Sequence, residues 1–288
     1  MSSPTPIRLA FSPDSDDIFM FWALLHGRVD TRGLAFVAER ADTETLNARA
    51  DRGDVDVLAV SIARYATIAD RYQLLPHGAS VGRGYGPVVV ANAPRSFESL
   101  AGARVGIPGH RTTAALVLRI LMGARPYTPV VLPISPYART FEALRTGEVD
   151  AALLIHEGRL TYEREGFARV VDIGEAWAAE TDGLPLPLGG NVIRRALGAE
   201  RIALVSQLCR ESISWALAHQ SEVTDALLAE ESRGDVGLDR ALLDRYLAMY
   251  ANDDTREMKP DVVHAIRELF RRGAALGAAA EVPVDLAP

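Results

Sequence analysis

Cysteine is nearly absent from the sequence: Cys209 is the only one in 288 residues. One cysteine cannot form an internal disulfide, and it excludes zinc sites built from several cysteines. No apolar run is long enough to cross a bilayer as a helix. The N-terminal residues lack a charged segment followed by a long apolar stretch, so we expect no secretory signal and a cytoplasmic protein.

Clustered positive charge is lacking as well. The net charge is -7, and no run of lysine and arginine reaches five residues. We therefore expect neither nucleic acid nor a membrane surface as the main partner. The sequence also has no Gly-x-Ser-x-Gly elbow, and its glycine-rich segment 82–86 is not followed by the Gly-Lys-Ser/Thr of a Walker loop.

The sequence does contain a regular alternation of strand-length apolar runs and helical stretches. The predicted strands are Ile7–Phe11, Val55–Val60, Pro87–Ala91, Ala103–Ile107, Val130–Ile134, Ala151–Ile155 and Val170–Ile173. The predicted helices are a first one ending at His26, then Thr43–Arg52, Ser61–Asp70, Thr112–Met122, Phe141–Thr146, and most of the chain from Glu200 onward. This alternation indicates an α/β fold with mainly parallel sheets and helices on both faces.

A short pattern occurs twice. Gly53-Asp-Val-Asp56 precedes an apolar run that ends at Ser61, and Gly147-Glu-Val-Asp150 precedes one that ends at His156. Chance is one explanation, because glycine and acidic residues are common in turns. The other is a pair of similar lobes, each with a strand that carries a polar residue to a shared cleft, where ligands of open α/β sheets bind.

Two segments that contain proline are the predicted crossings between these lobes, residues 92–100 and 185–191. Residues 1–91 and 192–288 then form lobe one, and residues 92–191 form lobe two. Two lobes around a central cleft are the architecture of a type II periplasmic-binding-protein-like fold, an analogy that does not fix function. The C-terminal helices would pack on lobe one and could also form a homodimer.

His156 is the leading candidate for catalysis, because it follows an apolar strand and precedes a polar segment. A neutral imidazole there could abstract a proton at neutral pH. A buried, hydrogen-bonded structural histidine fits the pattern equally well. Glu157 could orient His156, but a place in the first turn of the next helix is the favoured interpretation.

Two turns between a strand and a helix are candidates for ligand binding. Thr112 and Thr113 open a helix, and free N–H groups with hydroxyls there suit a substrate carboxylate, although one threonine could simply cap the helix. Ser12 and Asp14 belong to an earlier turn with three aspartates, which could cap the helix, bind a polyol or, least favoured, hold a cation.

Longer strings around these residues resemble the 1,4-dihydroxy-6-naphthoate synthase family. The resemblance follows the order of the whole chain, and its strings include Phe11-Ser-Pro13, Gly82-Arg-Gly84, Pro108-Gly109 with Thr112-Thr113, His156-Glu-Gly-Arg-Leu-Thr-Tyr162 and Gly183-Leu-Pro-Leu-Pro-Leu-Gly189. It implies a lyase of menaquinone biosynthesis by the futalosine pathway. Such an enzyme converts cyclic dehypoxanthine futalosine to 1,4-dihydroxy-6-naphthoate and dihydroxyacetone.

The resemblance also implies roles for single residues. His156 matches the family's proposed base, Thr112 and Thr113 match a substrate-binding pair, and a second binding segment corresponds to Ala59, Val60 and Ser61. The implied partner is a small-molecule carboxylate, with no metal ion and no organic cofactor. We expect closure of the lobes to bring Ser61, Thr112 and His156 together.

The sequence departs from the family in two places. The family's first turn usually reads Ser-Pro-Cys-Pro-Asn-Asp-Thr, whereas this chain has Ser12-Pro-Asp-Ser-Asp-Asp-Ile18, and Ala59 stands where lysine is common. Added carboxylates and a lost ammonium make the cleft less favourable for an acid, so a related enzyme with an altered substrate is an alternative. Others are a non-catalytic carboxylate- or oxyanion-binding protein of the same fold and a chorismate-dehydratase-like enzyme.

Overall fold

The computed structural model describes residues 5–134, 136–230, 237 and 239–288. Residues 1–4, and 231–236 and 238 within the predicted helical C-terminal part, lie outside the described residues. The strands are β1 (Ile7–Phe11), β2 (Phe36–Arg40), β3 (Val57–Ser61), β4 (Tyr72–Leu74), β5 (Ser80–Gly82), β6 (Val88–Ala91), β7 (Arg104–Ile107), β8 (Thr128–Val131), β9 (Ala151–Leu154), β10 (Ala168–Asp172) and β11 (Leu186–Arg194).

Helices connect most of these strands and make up the C-terminal part. The α-helices are α1 (Ser15–Leu25), α2 (Thr43–Arg49), α3 (Ile62–Tyr65), α4 (Thr113–Met122), α5 (Ala138–Arg145), α6 (Gly158–Thr161), α7 (Ile173–Glu180), α8 (Ala199–Ala218), α9 (Gln220–Glu230), α10 (Arg240–Tyr250), α11 (Asp253–Arg256) and α12 (Pro260–Ala275). Short 3-10 helices span Phe97–Leu100 and Arg195–Leu197. Within the described part of the chain, no helix has the length and apolarity that a bilayer span requires.

The strands form two mixed sheets, which confirms the α/β class. The first sheet has the order β2-β1-β3-β11-β4, with β5 also paired to β11, and the second has the order β10-β6-β9-β7-β8. In the first sheet β1 is parallel to β2 and β3, but β11 is antiparallel to its neighbours. In the second, β7 is parallel to β8 and β9, but β6 is antiparallel to its neighbours.

The antiparallel strands β6 and β11 contradict the expectation of mainly parallel sheets. They also show that the chain crosses between the lobes at residues other than those predicted. β6 and β11 are the strands by which the chain enters one sheet after leaving the other. β6 pairs with β9 and β10, so the chain has left the first sheet before Val88, not at residues 92–100. β11 begins at Leu186, so the predicted return at 185–191 is a strand of the first sheet.

The repeated acidic pattern has the same structural role in both sheets. In the first, the Asp56 carboxylate accepts a hydrogen bond from the Arg8 N–H at 3.0 Å. In the second, the Asp150 carboxylate accepts one from the Arg104 N–H at 2.8 Å. The next residues of each strand pair form parallel ladders, β1 with β3 and β7 with β9. A shared role supports two similar lobes over chance.

Candidate active site

A cleft lies between the two sheets, and the predicted site residues lie on its walls. The cleft encloses about 700 Å³ of empty space, part of it open to solvent. Every residue predicted to act in catalysis or binding lines it: Ser12, Asp14, Ala59, Val60, Ser61, Thr112, Thr113 and His156. Their individual roles stay predictions.

His156 follows β9 in a strained conformation and contacts the opposite lobe. Its φ of 49° is in the left-handed region, which is uncommon for residues other than glycine. The imidazole Nε2 lies 2.9 Å from Asp14 Oδ2, and the two side chains are 16% and 4% exposed. The imidazole Nδ1 is buried and has no hydrogen-bond partner among the described residues.

The surroundings of His156 favour its protonated form. Burial lowers the pKa of the imidazole, but the Asp14 carboxylate, with smaller effects of Glu157 and Asp16, raises it by more, so the pKa lies above its usual value. The sequence alone allowed a neutral imidazole at neutral pH, as one of two equally favoured alternatives. The structure differs because Asp14, far away in the sequence, supplies a negative charge at hydrogen-bond distance.

Glu157 forms a second contact across the cleft. Its Oε1 accepts hydrogen bonds from the Ser15 N–H at 3.0 Å and from the Ser15 hydroxyl at 2.6 Å. Glu157 is fully buried and directly precedes α6. The favoured interpretation placed it in the first turn of that helix, but its carboxylate binds the start of α1 in the other lobe.

The first turn places three aspartates in different environments. Asp14 caps α1 by accepting a hydrogen bond from the Asp17 N–H, and Asp17 accepts one from the Ser12 N–H at 2.8 Å. Burial, together with the charges of Asp14 and Asp16, raises the pKa of Asp17 well above its usual value. Capping is thus one function of this turn, as one of the sequence alternatives had it.

Asp16 connects the first turn to the C-terminal helices. Its carboxylate accepts hydrogen bonds from the Ser80 hydroxyl at 2.5 Å and the Tyr246 hydroxyl at 2.8 Å. Burial and the nearby charge of Asp14 raise the pKa of Asp16 to about 7. Tyr246 and Tyr250 also line the cleft. No pattern in the sequence identified them as cleft residues, because aromatic residues at helical spacing usually indicate core packing.

The N-terminus of α4 faces the same cleft, but its hydroxyls are engaged within the protein. Thr112 caps α4 by accepting from the Ala115 N–H at 3.2 Å. The Thr113 hydroxyl donates to the Leu188 carbonyl oxygen at 2.7 Å and accepts from the Ala63 N–H at 3.0 Å. The first backbone N–H groups of a helix have no acceptor within it, so they remain the groups suited to an anion.

Two further cleft residues, Ser61 and Arg159, are held by buried partners. Ser61 accepts from the Asn47 amide at 3.0 Å, and its own N–H donates to the Asn47 side-chain oxygen at 2.9 Å. Arg159, also on the cleft wall, donates to Asp172 at 2.8 Å and to the Gly86 carbonyl oxygen at 2.6 Å. Arg159 therefore stabilises the wall and offers little free positive charge.

Comparison with known proteins agrees with this architecture. A family model described as "Menaquinone biosynthesis" matches residues 7–275. A 1,4-dihydroxy-6-naphthoate synthase from Thermus thermophilus is 39% identical over 97% of this chain and 98% of its own length. A crystal structure of an Archaeoglobus fulgidus protein is 42% identical, with a TM-score of 0.86, and covers 94% of this chain and 98% of its own.

Solved binding proteins share the fold. The alkanesulfonate-binding protein of Xanthomonas axonopodis pv. citri, bound to MOPS, has a TM-score of 0.73 at 15% identity and covers 100% of this chain and 98% of its own. At that identity the likeness confirms the periplasmic-binding-protein-like fold alone. The family match and the identity to the Thermus enzyme go further: the chain belongs to the menaquinone biosynthesis family and is a lyase-type enzyme related to the 1,4-dihydroxy-6-naphthoate synthases.

Proposed function

We propose that this protein converts cyclic dehypoxanthine futalosine to 1,4-dihydroxy-6-naphthoate and dihydroxyacetone in the cytoplasm. The observation that carries the proposal is a single cleft that has His156 on one wall and the N-terminus of α4 beside it. That arrangement offers a proton acceptor and an anion site within one ligand length. Family membership supplies the reaction class, and the cleft supplies suitable groups for it.

The two ends of the cleft suit different parts of such a substrate. The N-terminus of α4 has backbone N–H groups without an acceptor inside the helix, and it is the positive end of the helix dipole, so it suits the carboxylate. Asp16 and Ser80 lie on the wall of lobe one, and their oxygens suit hydroxyl groups. We therefore propose that the carboxylate binds at α4 and that the part released as dihydroxyacetone faces Asp16 and Ser80.

His156 is the proposed base. It removes a proton from the bound substrate and starts the fragmentation that ends in an aromatic ring. Because its pKa is raised, a smaller share of the enzyme has the neutral imidazole at neutral pH. Activity should therefore rise with pH until the imidazole is deprotonated.

The test is product formation from cyclic dehypoxanthine futalosine by the wild type, His156→Asn and His264→Asn. His264 lies exposed on α12, away from the cleft, so it is the matched control for loss of an imidazole. We expect naphthoate and dihydroxyacetone in equal amounts from the wild type and His264→Asn, and little from His156→Asn.

Two results would contradict the proposal. Tight substrate binding by calorimetry without product would indicate a binding protein of this fold. Neither binding nor product would indicate a different ligand, as the altered first turn and Ala59 would allow. Light scattering on the same samples would test the predicted homodimer.

A further inference from the structure

The first turn of this chain contacts the proposed base directly. Asp14 lies between β1 and α1 in lobe one, and His156 follows β9 in lobe two. Their side chains meet at 2.9 Å, and both line the cleft. Asp14 stands where the resembling family usually has cysteine, so this contact depends on a departure from the family pattern.

We propose that Asp14 is the positioning residue of His156, and that the two side chains share a proton as a pair assembled across the cleft. This inference deepens the proposed function and depends on the role of His156 in it. Asp14 acts through the imidazole and is not itself assigned a contact with the reacting atoms.

The hydrogen-bond pattern of the imidazole carries the inference. Among the described residues, the bond from Nε2 to Asp14 is the one that the ring makes, since Nδ1 has no partner there. A ring with one hydrogen bond depends on that bond for its orientation and for which nitrogen keeps the proton. Asp14 is 4% exposed, so solvent competes little for its carboxylate.

The other charged groups near His156 are held by different partners. Glu157 binds Ser15, and Asp16 binds Ser80 and Tyr246. Among the remaining charged groups, Asp17 accepts from the Ser12 N–H and Arg159 pairs with Asp172. Asp14 is therefore the carboxylate that lies at hydrogen-bond distance from the imidazole. Glu157 and Asp16 affect the imidazole through longer-range electrostatic interactions.

The neighbouring residues make the pair dependent on lobe closure. Ser15 follows Asp14, Glu157 follows His156, and these two also bind each other across the cleft. Two adjacent contacts from the same pair of turns form or break together when the lobes move. Opening the cleft would therefore separate Asp14 from the imidazole and return His156 to an ordinary environment.

The test compares Asp14→Asn with Asp42→Asn. Both aspartates cap a helix: Asp14 caps α1, and Asp42 caps α2 by accepting from the Thr45 N–H at 3.0 Å. Asparagine caps helices about as well as aspartate, so both variants should fold. Asp42 is exposed and does not line the cleft, which makes its variant a control for the substitution itself.

The first readout is the NMR titration of the His156 imidazole, identified among the six histidines by its loss in His156→Asn. We expect the wild type and Asp42→Asn to titrate above the usual value of about 6.5. The pKa of His156 should fall in Asp14→Asn. An unchanged value in Asp14→Asn would overturn the pairing, and so would a wild-type value at or below about 6.5 if Asp14→Asn does not fold.

The second readout is the pH profile of kcat/KM. In Asp14→Asn the acidic limb should move to lower pH, and kcat should fall about 10- to 100-fold, as expected for a misplaced catalytic group. A purely structural role of Asp14 would lower activity without moving the limb. If the wild type does not convert the proposed substrate, the proposed function fails, but the titration still decides whether the pair exists.

Discussion

The two sheets repeat one plan and differ in the side chains at their cleft ends. From one edge, the first sheet runs β2-β1-β3-β11-β4 and the second runs β8-β7-β9-β6-β10. In both, three parallel strands come first, and the next is antiparallel. Yet the strand β3 ends at Ser61, whereas β9 is followed by His156. Similar scaffolds thus carry different chemistry to the cleft.

The helix caps show the same contrast. After the first parallel strand of each lobe, the cap of α1 is Asp14 and the cap of α4 is Thr112. An aspartate fills the N-terminus of its helix with negative charge, whereas a threonine leaves it open to an anion. In the proposed function, lobe two supplies both the anion site at α4 and His156, whereas lobe one supplies Asp14, which pairs with His156.

The largest expected effect compares the residues at the ends of β3 and β9. His156→Asn should lower kcat about 100- to 10,000-fold, the usual contribution of a general base. Ser61→Ala should cost far less, because Ser61 is held by Asn47 and carries no proton-transfer role. Steady-state kinetics on both variants check this, and similar losses in both would contradict the assignment of roles.

The next effect compares Asp56 and Asp150, which accept equivalent backbone hydrogen bonds in the two sheets but differ in burial. Asp56 is 5% exposed and also binds Arg194, so Asp56→Ala should cost about 1–3 kcal/mol by leaving partly buried donors unsatisfied. The Asp150 side chain is 38% exposed, and Asp150→Ala should cost less than about 1 kcal/mol. Urea unfolding of both variants measures the difference, and equal costs would mean that burial does not decide it.

A third substitution makes lobe two resemble lobe one. Thr112→Asp keeps a good cap on α4, so thermal stability should change little. The new carboxylate should repel a bound carboxylate and raise KM about tenfold or more, since 1.4 kcal/mol corresponds to a factor of ten. Thr112→Ser, which keeps the hydroxyl, is the control, and an unchanged KM in Thr112→Asp would place the carboxylate elsewhere.

The smallest expected effect is a difference in pH dependence. Burial raises the pKa of Asp16 from 3.8 to about 7, so the folded state resists its ionisation, and stability should fall as pH rises across that range. Asp16→Asn should remove part of this fall, changing the difference in Tm between pH 5 and pH 8 by about 2–4 °C.

Asp150 supplies the matching control in the other lobe. Its pKa is lowered by the Arg104 side chain, so its contribution to stability is present above its unfolded pKa and is lost only as pH falls. Asp150→Asn should therefore keep the wild-type slope between pH 5 and pH 8. Calorimetry on the variants at both pH values would reveal any departure.

Sequence reasoning located most elements, because their apolar periods and caps are local. It missed β11, since Pro187 and the pair Gly189-Gly190 are typical of a hinge. In the structure Gly190 lies within that strand, where an added Cβ would lie 2.9 Å from the Ile62 side chain. Glycine at position 190 leaves room for the Ile62 side chain. The residues next to Gly190 in the sequence do not show which side chain packs against it.

Many polar members of the site were predictable from the sequence, but Tyr246, Tyr250 and the contacts across the cleft were not. The residues that follow strands or begin helices could be identified one by one, because strand ends meet at one edge of a sheet. The contact between Asp14 and His156 joins distant segments, and so does that between Ser15 and Glu157. Such contacts depend on how the two lobes pack against each other. Local sequence patterns contain no information about that packing.

The backbone of His156 has a consequence for evolution in the laboratory. Its positive φ costs energy for histidine and little for glycine or asparagine. A library varied at this position and selected only for heat resistance should become enriched in those two residues, whereas one selected for turnover should keep histidine. The divergence of the two populations would report, without any assay of mechanism, how much stability the protein forgoes at that one position.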